Sequence, residues 1–210
     1  MARYKDSLLG GLSGKLGPVV MYVRNGTQVV RSNPKQRDPK SPKQLAHRMK
    51  FALVNQRLSP LKAIIDVGYK NSDKTYRTLI GEAYREAIIG DYPDFSLDYS
   101  KIQISEGNVE LPRHATIEMG ENPDTVNFRW DPAIAREVRT SRDNDQVNIV
   151  CLDATGKHAF HELNAARRSH GSVSLEMPHA SWHPASSHFW MFLTSYDSRF
   201  HSNSLYISFK

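Results

Sequence analysis

Two short apolar runs flank a two-residue turn near the start of the chain. The runs with their terminal arginines are Val19–Arg24 and Thr27–Arg31, and Asn25-Gly26 lies between them. Asn-Gly between β-branched runs is the strongest short hairpin signal, because both turn residues need positive φ. A two-residue loop places Tyr22 opposite Val29. The pattern therefore predicts an N-terminal β-hairpin, preceded by a glycine-rich segment.

A helical period replaces the alternation after a proline-rich connector. Residues 32–42 end in Ser41-Pro42, which is typical of an N-cap followed by a first-turn proline. An apolar stripe then continues to residue 68, with a break at Ser59-Pro60. Residues 72–89 form a second amphipathic segment, with polar side chains off the apolar stripe. These patterns predict two to three helices.

Alternation with a period of two returns after Gly90. Phe95, Leu97 and Tyr99 alternate with polar residues, and Ile102 resumes out of phase, which predicts a strand with a bulge. From residue 108 onward, short alternating segments are separated by turn signals, and seven such strands are typical of a β-sandwich.

The fold class predicted from these patterns is α+β. An N-terminal β-hairpin and two to three helices, residues 1–107, precede a seven-stranded fibronectin-III/Ig-like β-sandwich, residues 108–210. Trp130 on the second strand, without a cysteine pair, favours the fibronectin-III variant. The strand over residues 189–196 is apolar on both faces, so a helix or a partner subunit is expected to cover Trp190.

Composition sets the class of protein. The 210 residues are 39% hydrophobic and 10% aromatic, which is enough to bury a core, and the formal net charge is +6. The single cysteine, Cys151, excludes an intramolecular disulfide and is expected to be buried. No apolar run reaches the roughly 18 residues of a membrane span, and no signal-peptide pattern opens the chain. We expect a soluble protein of the cell interior or of a virion, without membrane association.

Charge is distributed unevenly along the chain. Residues 1–70 hold 14 basic and 3 acidic residues, a net charge of +11, whereas the remainder carries −5. Such asymmetry indicates an anionic partner, or head-to-tail contact between copies. We assign the anion- or partner-binding residues to Arg31, Lys35, Arg37, Lys40, Lys43, Arg48 and Lys50. In the helix, Leu45, Met49 and Leu53 are expected to face inward.

Candidate chemistry is sparse. The glycines before Leu16 do not form a phosphate-binding loop, because Leu9 replaces the required glycine and no Ser or Thr follows Lys15. Eight of the nine histidines follow residue 113, and a metal-binding set, if one exists, would be His179, His183 and His188. No catalytic residue, cofactor, metal site or small-molecule substrate is assigned.

The motifs of the N-terminal part form a long pattern, and it is continued by shorter C-terminal signatures. The pattern comprises Gly11-x-x-Gly14-Lys15-x-Gly17, Val19-Val20, Tyr22, Gly26-x-x-Val29-Val30-Arg31, Pro34, Pro39, Ser41-Pro42, Gln44, Arg48, Lys50-Phe51-Ala52, Leu58-Ser59-Pro60-Leu61-Lys62 and Gly68-Tyr69. The signatures are Trp130-Asp131, Asp145-Gln146-Val147, Ala166-Arg167 and Ser202-Asn203-Ser204-x-Tyr206. The chain resembles an uncharacterised family, a domain of unknown function frequent in Bacteroidota. Its glycine hairpin and Ser41-Pro42-x-Gln44 segment are also similar to phage-encoded proteins. These resemblances imply a role in a virion or a mobile genetic element, and they imply no catalytic residues.

The predicted function is that of a non-enzymatic structural or assembly protein that self-associates through residues 10–31. Unpaired edges of the hairpin are expected to be the contact. The alternative is a nucleic-acid-binding module that uses the basic segment 31–50 without sequence preference.

Overall fold

The structure is a computed structural model that describes residues 2–4, 12–33, 40–122, 124–134, 140–178 and 182–209. The chain divides into two compact units, which we call the N-terminal unit, residues 1–41, and the C-terminal unit, residues 42–210. None of the helices in the described ranges is long and apolar enough to cross a membrane.

The N-terminal unit is an antiparallel sheet built around the predicted hairpin. Its strands are β1 (Ala2–Tyr4), β2 (Gly14–Leu16), β3 (Val19–Arg24) and β4 (Thr27–Ser32), in the order β1-β4-β3-β2. Asn25 and Gly26 have φ of 50° and 74°, as a type I′ turn requires. The predicted pairing of Tyr22 with Val29 is confirmed.

The expectation of unpaired hairpin edges is wrong. Strand β1 pairs with β4 along three residues, and β2 pairs with β3 along three residues. The free edges of the sheet therefore belong to three-residue strands, which offer a short template for strand addition.

Three helices open the C-terminal unit: α1 (Pro42–Leu58), α2 (Lys62–Gly68) and α3 (Tyr76–Glu86). Pro42 is the first helical residue, as predicted, and a single 3-10 turn at Ser59–Leu61 marks the predicted break. The segment predicted as a helix over 72–89 is shorter. Thr75 caps α3, since its side chain accepts from the Thr78 amide at 3.4 Å.

The alternation after Gly90 does not give a bulged strand. Strands β5 (Ile88–Ile89) and β6 (Ser96–Leu97) form a two-residue ladder, and a 3-10 turn follows at Tyr99–Lys101. The Asp98 side chain caps this turn by accepting from the Ser100 amide at 3.1 Å. The local cap overrides the period-two pattern, although Tyr99, Ile102 and Ile104 are buried.

The rest of the C-terminal unit is two antiparallel sheets. Their strands are β7 (Arg113–Met119), β8 (Thr125–Asp131), β9 (Gln146–Leu152), β10 (Ala159–Arg167), β11 (Ser172–Glu176), β12 (His188–Thr194) and β13 (Leu205–Ile207). One sheet has the order β11-β8-β7 and the other β10-β9-β12-β13. Side chains from both sheets, including Phe128 and Phe189, form one core between them.

A second core lies on the other side of β9 and β12. There Val150, Leu152, Trp190 and Phe192 pack against side chains of the three helices. Trp190 is fully buried, and its indole N–H donates to the Ile102 carbonyl oxygen at 3.0 Å. The predicted cover over Trp190 is thereby confirmed, and it is supplied by the helical segment of this chain.

Candidate functional site

The N-terminal sheet has two chemically different faces. Side chains alternate between the faces of a strand, and the pairing of β2, β3 and β4 aligns them across the sheet. One set, here called the apolar face, comprises Leu16, Val19, Met21, Val23 and Val30. The opposite set, here called the basic face, comprises Lys15, Tyr22, Arg24 and Arg31, with Val20, Val29 and Thr27 between them. All three cations of these strands thus lie on one face.

Much of the apolar face is open to solvent. Leu16 is 71% exposed and Val23 is 48% exposed. Gln28 also lies on this face, and its side-chain amide donates to the Leu12 carbonyl oxygen at 2.6 Å. This bond ties the residues before β2 to the face, and Leu12 itself is 47% exposed. The exposed apolar side chains of β2 and β3, Leu16 and Val23, thus lie on one face of the sheet.

The basic face surrounds one aromatic ring. The Arg31 guanidinium carbon lies 5.6 Å from the centroid of the Tyr22 ring, within the range of a cation–π contact. Lys15, Arg24 and Arg31 are exposed, whereas Tyr22 is half-buried. No acidic residue occurs among the residues of the N-terminal unit that the structure describes. This face is therefore suited to an anion.

The predicted anion-binding residues are spread over several elements. Arg31 is exposed on β4, and Lys40 is exposed just before α1. Lys35 and Arg37 lie outside the described residues. Lys43 and Arg48 are exposed on α1.

Helix geometry separates the three predicted cations of α1. Lys43 and Lys50 are seven residues apart and share one side, whereas Arg48 is two residues from Lys50 and lies about 200° around the helix. Lys50 is half-buried, and its ammonium lies 4.7 Å from the centroid of the Phe95 ring. Met49, which was expected to face inward, is 43% exposed. The buried residues of α1 are Val54 and Leu58, both in its second half. The first turns of the helix therefore bury less apolar surface than the stripe predicts.

The histidines do not form a metal-binding group in the described part of the chain, where no three His, Cys, Asp or Glu side chains converge. His179 lies outside that part, and His183 is exposed. His188 Nδ1 lies 2.8 Å from the Tyr206 hydroxyl oxygen, and its ring stacks on Tyr99 with centroids 3.8 Å apart. Burial, and secondarily the Arg57 charge, lower the pKa of His188 below 6.5. Its role is therefore structural.

Cys151 is fully buried, as predicted, and burial raises the pKa of its thiol. A buried thiol with a raised pKa is a poor nucleophile.

A buried ion pair lies at one end of the sandwich, where β9 begins and β10 ends. Arg168 Nε lies 3.8 Å from Asp145 Oδ2, and both side chains are fully buried. The Arg142 amide donates to the same carboxylate at 2.8 Å, and the Trp130 indole donates to the Arg168 carbonyl oxygen at 2.8 Å. Burial raises the pKa of Asp145 and lowers that of Arg168. The pair fixes the turn before β9 against the end of β10.

An open pocket of about 460 Å³ lies beside α3 and residues 100–103. Its charged lining includes Lys74, Glu82, Glu86 and Lys101. The Lys74 ammonium is 3.2 Å from a Glu82 carboxylate oxygen and 3.6 Å from one of Glu106. Because this cation is already paired and the lining has both signs of charge, the pocket does not select a class of ligand.

The separation of charge between the two faces of the N-terminal sheet was not predicted from the sequence. The net charge of the first 70 residues includes Lys15 and Arg24 but does not show that they share a face. The signal was present in the hairpin register, which puts Arg24 and Tyr22 on the same side. The position of Lys15 depends on the pairing of β2 with β3, which no turn signal in the sequence announces.

The chain is an α+β protein in which a small sheet, with one apolar and one basic face, precedes a β-sandwich covered by helices. The chain belongs to a family of unknown function, DUF6266, whose sequence profile matches residues 11–208. The resemblance to a family of unknown function is thereby confirmed. No curated protein matches the chain. Among solved structures, it is similar to the fibronectin type III domain of the human collagen alpha-1(XX) chain. The identity is 13%, the match covers 47% of this chain and 85% of that domain, and the TM-score is 0.32.

Proposed function

We propose that this chain is a non-enzymatic structural or assembly protein that self-associates through the apolar face of its N-terminal sheet. The observation that carries the proposal is the exposure of Leu16 and Val23 on this face, in a unit that buries little. Among the described side chains of the N-terminal unit, Val29 is the one apolar residue that is buried.

A unit of this size gains stability from a partner that covers its apolar side chains. Domains below about 40 residues rarely bury enough surface to fold alone and commonly depend on oligomerisation, metals or disulfides. The chain has a single cysteine, so a disulfide within the unit is excluded. Association with a partner would cover the exposed apolar side chains.

The partner that fits this face is a second copy of the same chain. The apolar face carries no charged residue on β2, β3 or β4, so two copies can stack these faces without charge repulsion. Stacked sheets lie about 10 Å apart, with their apolar side chains interdigitated. The basic faces of two copies would repel each other.

The contact between two copies is expected to be weak. Three strands of about five residues give a face of roughly 10 Å by 17 Å, and the area buried by two such faces is well below that of a standard interface, about 1,600 Å². We therefore expect association in the high micromolar range. Each chain has one such face, so this contact joins two copies.

Sedimentation of the full chain over a concentration series tests the proposal. The double variant Leu16→Ser/Val23→Ser removes two exposed side chains of the apolar face without changing the charge. Met119→Ser/Leu163→Ser is the matched control, since these side chains are 45% and 37% exposed in the C-terminal unit. Wild type and the control are expected to associate, and Leu16→Ser/Val23→Ser to stay monomeric. A monomeric wild type at these concentrations, or equal association of both variants, contradicts the proposal.

The second candidate function is sequence-independent binding of nucleic acid through the basic segment 31–50. The observation that favours it is the charge of the two units: the N-terminal unit holds eight basic and two acidic residues, and the C-terminal unit holds twenty of each. All of the net positive charge therefore lies in residues 1–41. A site that neutralises about five phosphates of duplex DNA gives a log–log salt slope of roughly −4 to −5.

Charge reversal at Lys35, Arg37 and Lys40 tests this second candidate. We expect retention on a nucleic-acid column to be lost while the melting temperature changes little, because surface substitutions usually cost little stability. Unchanged retention removes the segment from consideration. A large loss of stability would show that these residues pair within the protein.

We also infer that residues 108–210 form a seven-stranded sandwich of the fibronectin-III type. The division into three and four strands and the burial of Trp130 in the core support this finer class. The similarity to phage-encoded proteins extends the proposal to virion or mobile-element assembly. Virion or conjugation genes beside the gene for this protein would support that extension, and a neighbourhood of unrelated metabolic genes would oppose it.

A further inference from the structure

We infer that the basic face of the N-terminal sheet binds single-stranded nucleic acid, with the phosphates on Lys15, Arg24 and Arg31 and a base against Tyr22. The inference concerns the face opposite the proposed self-association surface. It gives the second candidate function a site on the sheet rather than along segment 31–50.

The strand pairing spaces the three cations over the face. Lys15 and Arg31 are both paired with Val20, one from each side, so they lie two strand spacings apart, about 10 Å. Arg24 is four residues along β3 from Val20, about 14 Å away. The three cations therefore border a short track for a nucleic-acid backbone.

Tyr22 and Val20 lie inside this border. Both are half-buried on β3, and the Arg31 guanidinium lies 5.6 Å from the Tyr22 ring centroid. An arginine guanidinium over an aromatic ring supplies two planar groups on which unpaired bases stack. In a duplex the base faces are covered by their neighbours, so the ring favours single strands.

The positive charge of the face favours a partner that carries a net negative charge. Each charged side chain in the described part of β2, β3 and β4 is a cation on this face, and the N-terminal unit carries a net +6. An acidic peptide would satisfy the cations but would leave Tyr22 without a stacking partner. The combination of cations and ring therefore favours a nucleic acid over an acidic protein surface.

Fluorescence anisotropy with a labelled 12-nucleotide oligo(dT) and the full-length protein tests the inference. Three phosphate contacts on a single strand predict a log–log salt slope of about −2, which weakens binding roughly 20-fold between 50 and 200 mM salt. Lys15→Glu/Arg24→Glu is expected to abolish binding. Arg113→Glu/Lys157→Glu, two exposed cations of the C-terminal unit, is the control with the same change of charge and is expected to bind.

Tyr22→Val separates stacking from simple charge attraction, because valine keeps the preference for a strand. The variant is expected to bind about tenfold more weakly with an unchanged salt slope. Polyglutamate and a duplex of the same length are the competitors. If either competes as well as oligo(dT) and Tyr22→Val binds like wild type, the face is a general polyanion or acidic-protein surface, and the inference is overturned.

The apolar-face variant Leu16→Ser/Val23→Ser distinguishes this inference from the proposed self-association. It is expected to be monomeric and to bind oligo(dT) with wild-type affinity. Failure of the self-association experiment alone leaves the binding result intact. Loss of oligo(dT) binding in this variant, or equal loss in the Arg113→Glu/Lys157→Glu control, overturns the assignment to the basic face.

Discussion

Trp190 connects the helices of the C-terminal unit to the sandwich. Its side chain is fully buried, and its indole N–H is bonded to the Ile102 carbonyl oxygen. We expect Trp190→Ala to lower the free energy of unfolding by about 3–5 kcal/mol, because it leaves a cavity and an unpaired carbonyl. Urea unfolding of the full chain, followed by circular dichroism, measures the change.

Phe200→Ala is the comparison for this variant. The Phe200 side chain is 44% exposed, and we expect a cost of about 1 kcal/mol or less. Equal costs for the two variants would show that the helices do not depend on Trp190 for their attachment.

His188 makes the stability of the C-terminal unit depend on pH. Burial and the Arg57 charge lower its pKa below the ordinary value of 6.5, and Tyr99 and Tyr206 enclose the ring. The unfolded chain takes up the proton at the ordinary pKa while the folded chain does not, so the unfolded state binds more protons. The free energy of unfolding is therefore expected to fall as the pH drops below about 6.5.

His188→Gln is expected to reduce this fall, because glutamine stays neutral and can bond to the Tyr206 hydroxyl. Urea midpoints at pH 7.5, 6.5 and 5.5 give the slope, and His161→Gln, at an exposed position, is the control. His201, whose pKa burial also lowers, is expected to contribute to the slope that remains. A His188→Gln slope equal to that of wild type contradicts the assignment to His188.

At the scale of elements, two helical glycines have opposite requirements. A Cβ on Gly68, at the end of α2, would lie 2.4 Å from the Ile104 carbonyl oxygen, whereas a Cβ on Gly81, inside α3, meets nothing closer than 4.0 Å. Gly68→Ala is expected to destabilise the protein, because backbone must move. Gly81→Ala is expected to stabilise it by about 1 kcal/mol, the difference in helix propensity. Thermal unfolding of both variants checks the contrast, and a stabilising Gly68→Ala would show that residues 104 and 105 do not lie against α2.

Elements with a strong local signal were predicted from the sequence, and those that depend on distant pairing were not. Asn25-Gly26 sets both the turn and the register of β3 and β4, so the hairpin follows from local chemistry. No such local signal predicts that β1 and β2 pair with the edges of the hairpin. After Gly90 a local signal was misleading, because the alternating pattern predicts a strand where the Asp98 side chain caps a 3-10 turn.

At the scale of the whole molecule, the domain boundary predicted from the sequence differs from the boundary between the compact units, and the two imply different proteolytic fragments. The turn at Glu106-Gly107-Asn108 predicts a division near residue 107, whereas the compact units meet at residue 41. The core of the C-terminal unit joins Leu61 and Ile65 to Val150 and Trp190, across residue 107. We therefore expect limited proteolysis of the full chain to accumulate a fragment that begins near residue 42. Accumulation of a fragment that begins near residue 108 would instead show that the sandwich folds alone.

The candidate site could be predicted only in part. The excess of cations in the first third of the chain was visible in the sequence. Their separation from the exposed apolar residues required the full strand pairing, which places Lys15 and Leu16 on opposite faces although they are adjacent in the chain. Segment 31–50 and the basic face share Arg31, so the two proposals for anion binding meet at that residue.

Cross-linking between copies tests the central claim, self-association through the apolar face, most directly. The single native cysteine is buried, so a cysteine introduced on the N-terminal sheet reacts selectively with a short bismaleimide. Val23→Cys places the thiol on the apolar face and Arg24→Cys places it on the opposite face, one residue away. We predict covalent dimers from Val23→Cys at high micromolar concentration and few from Arg24→Cys. Equal yields from both variants, or no dimer from either, would contradict the account.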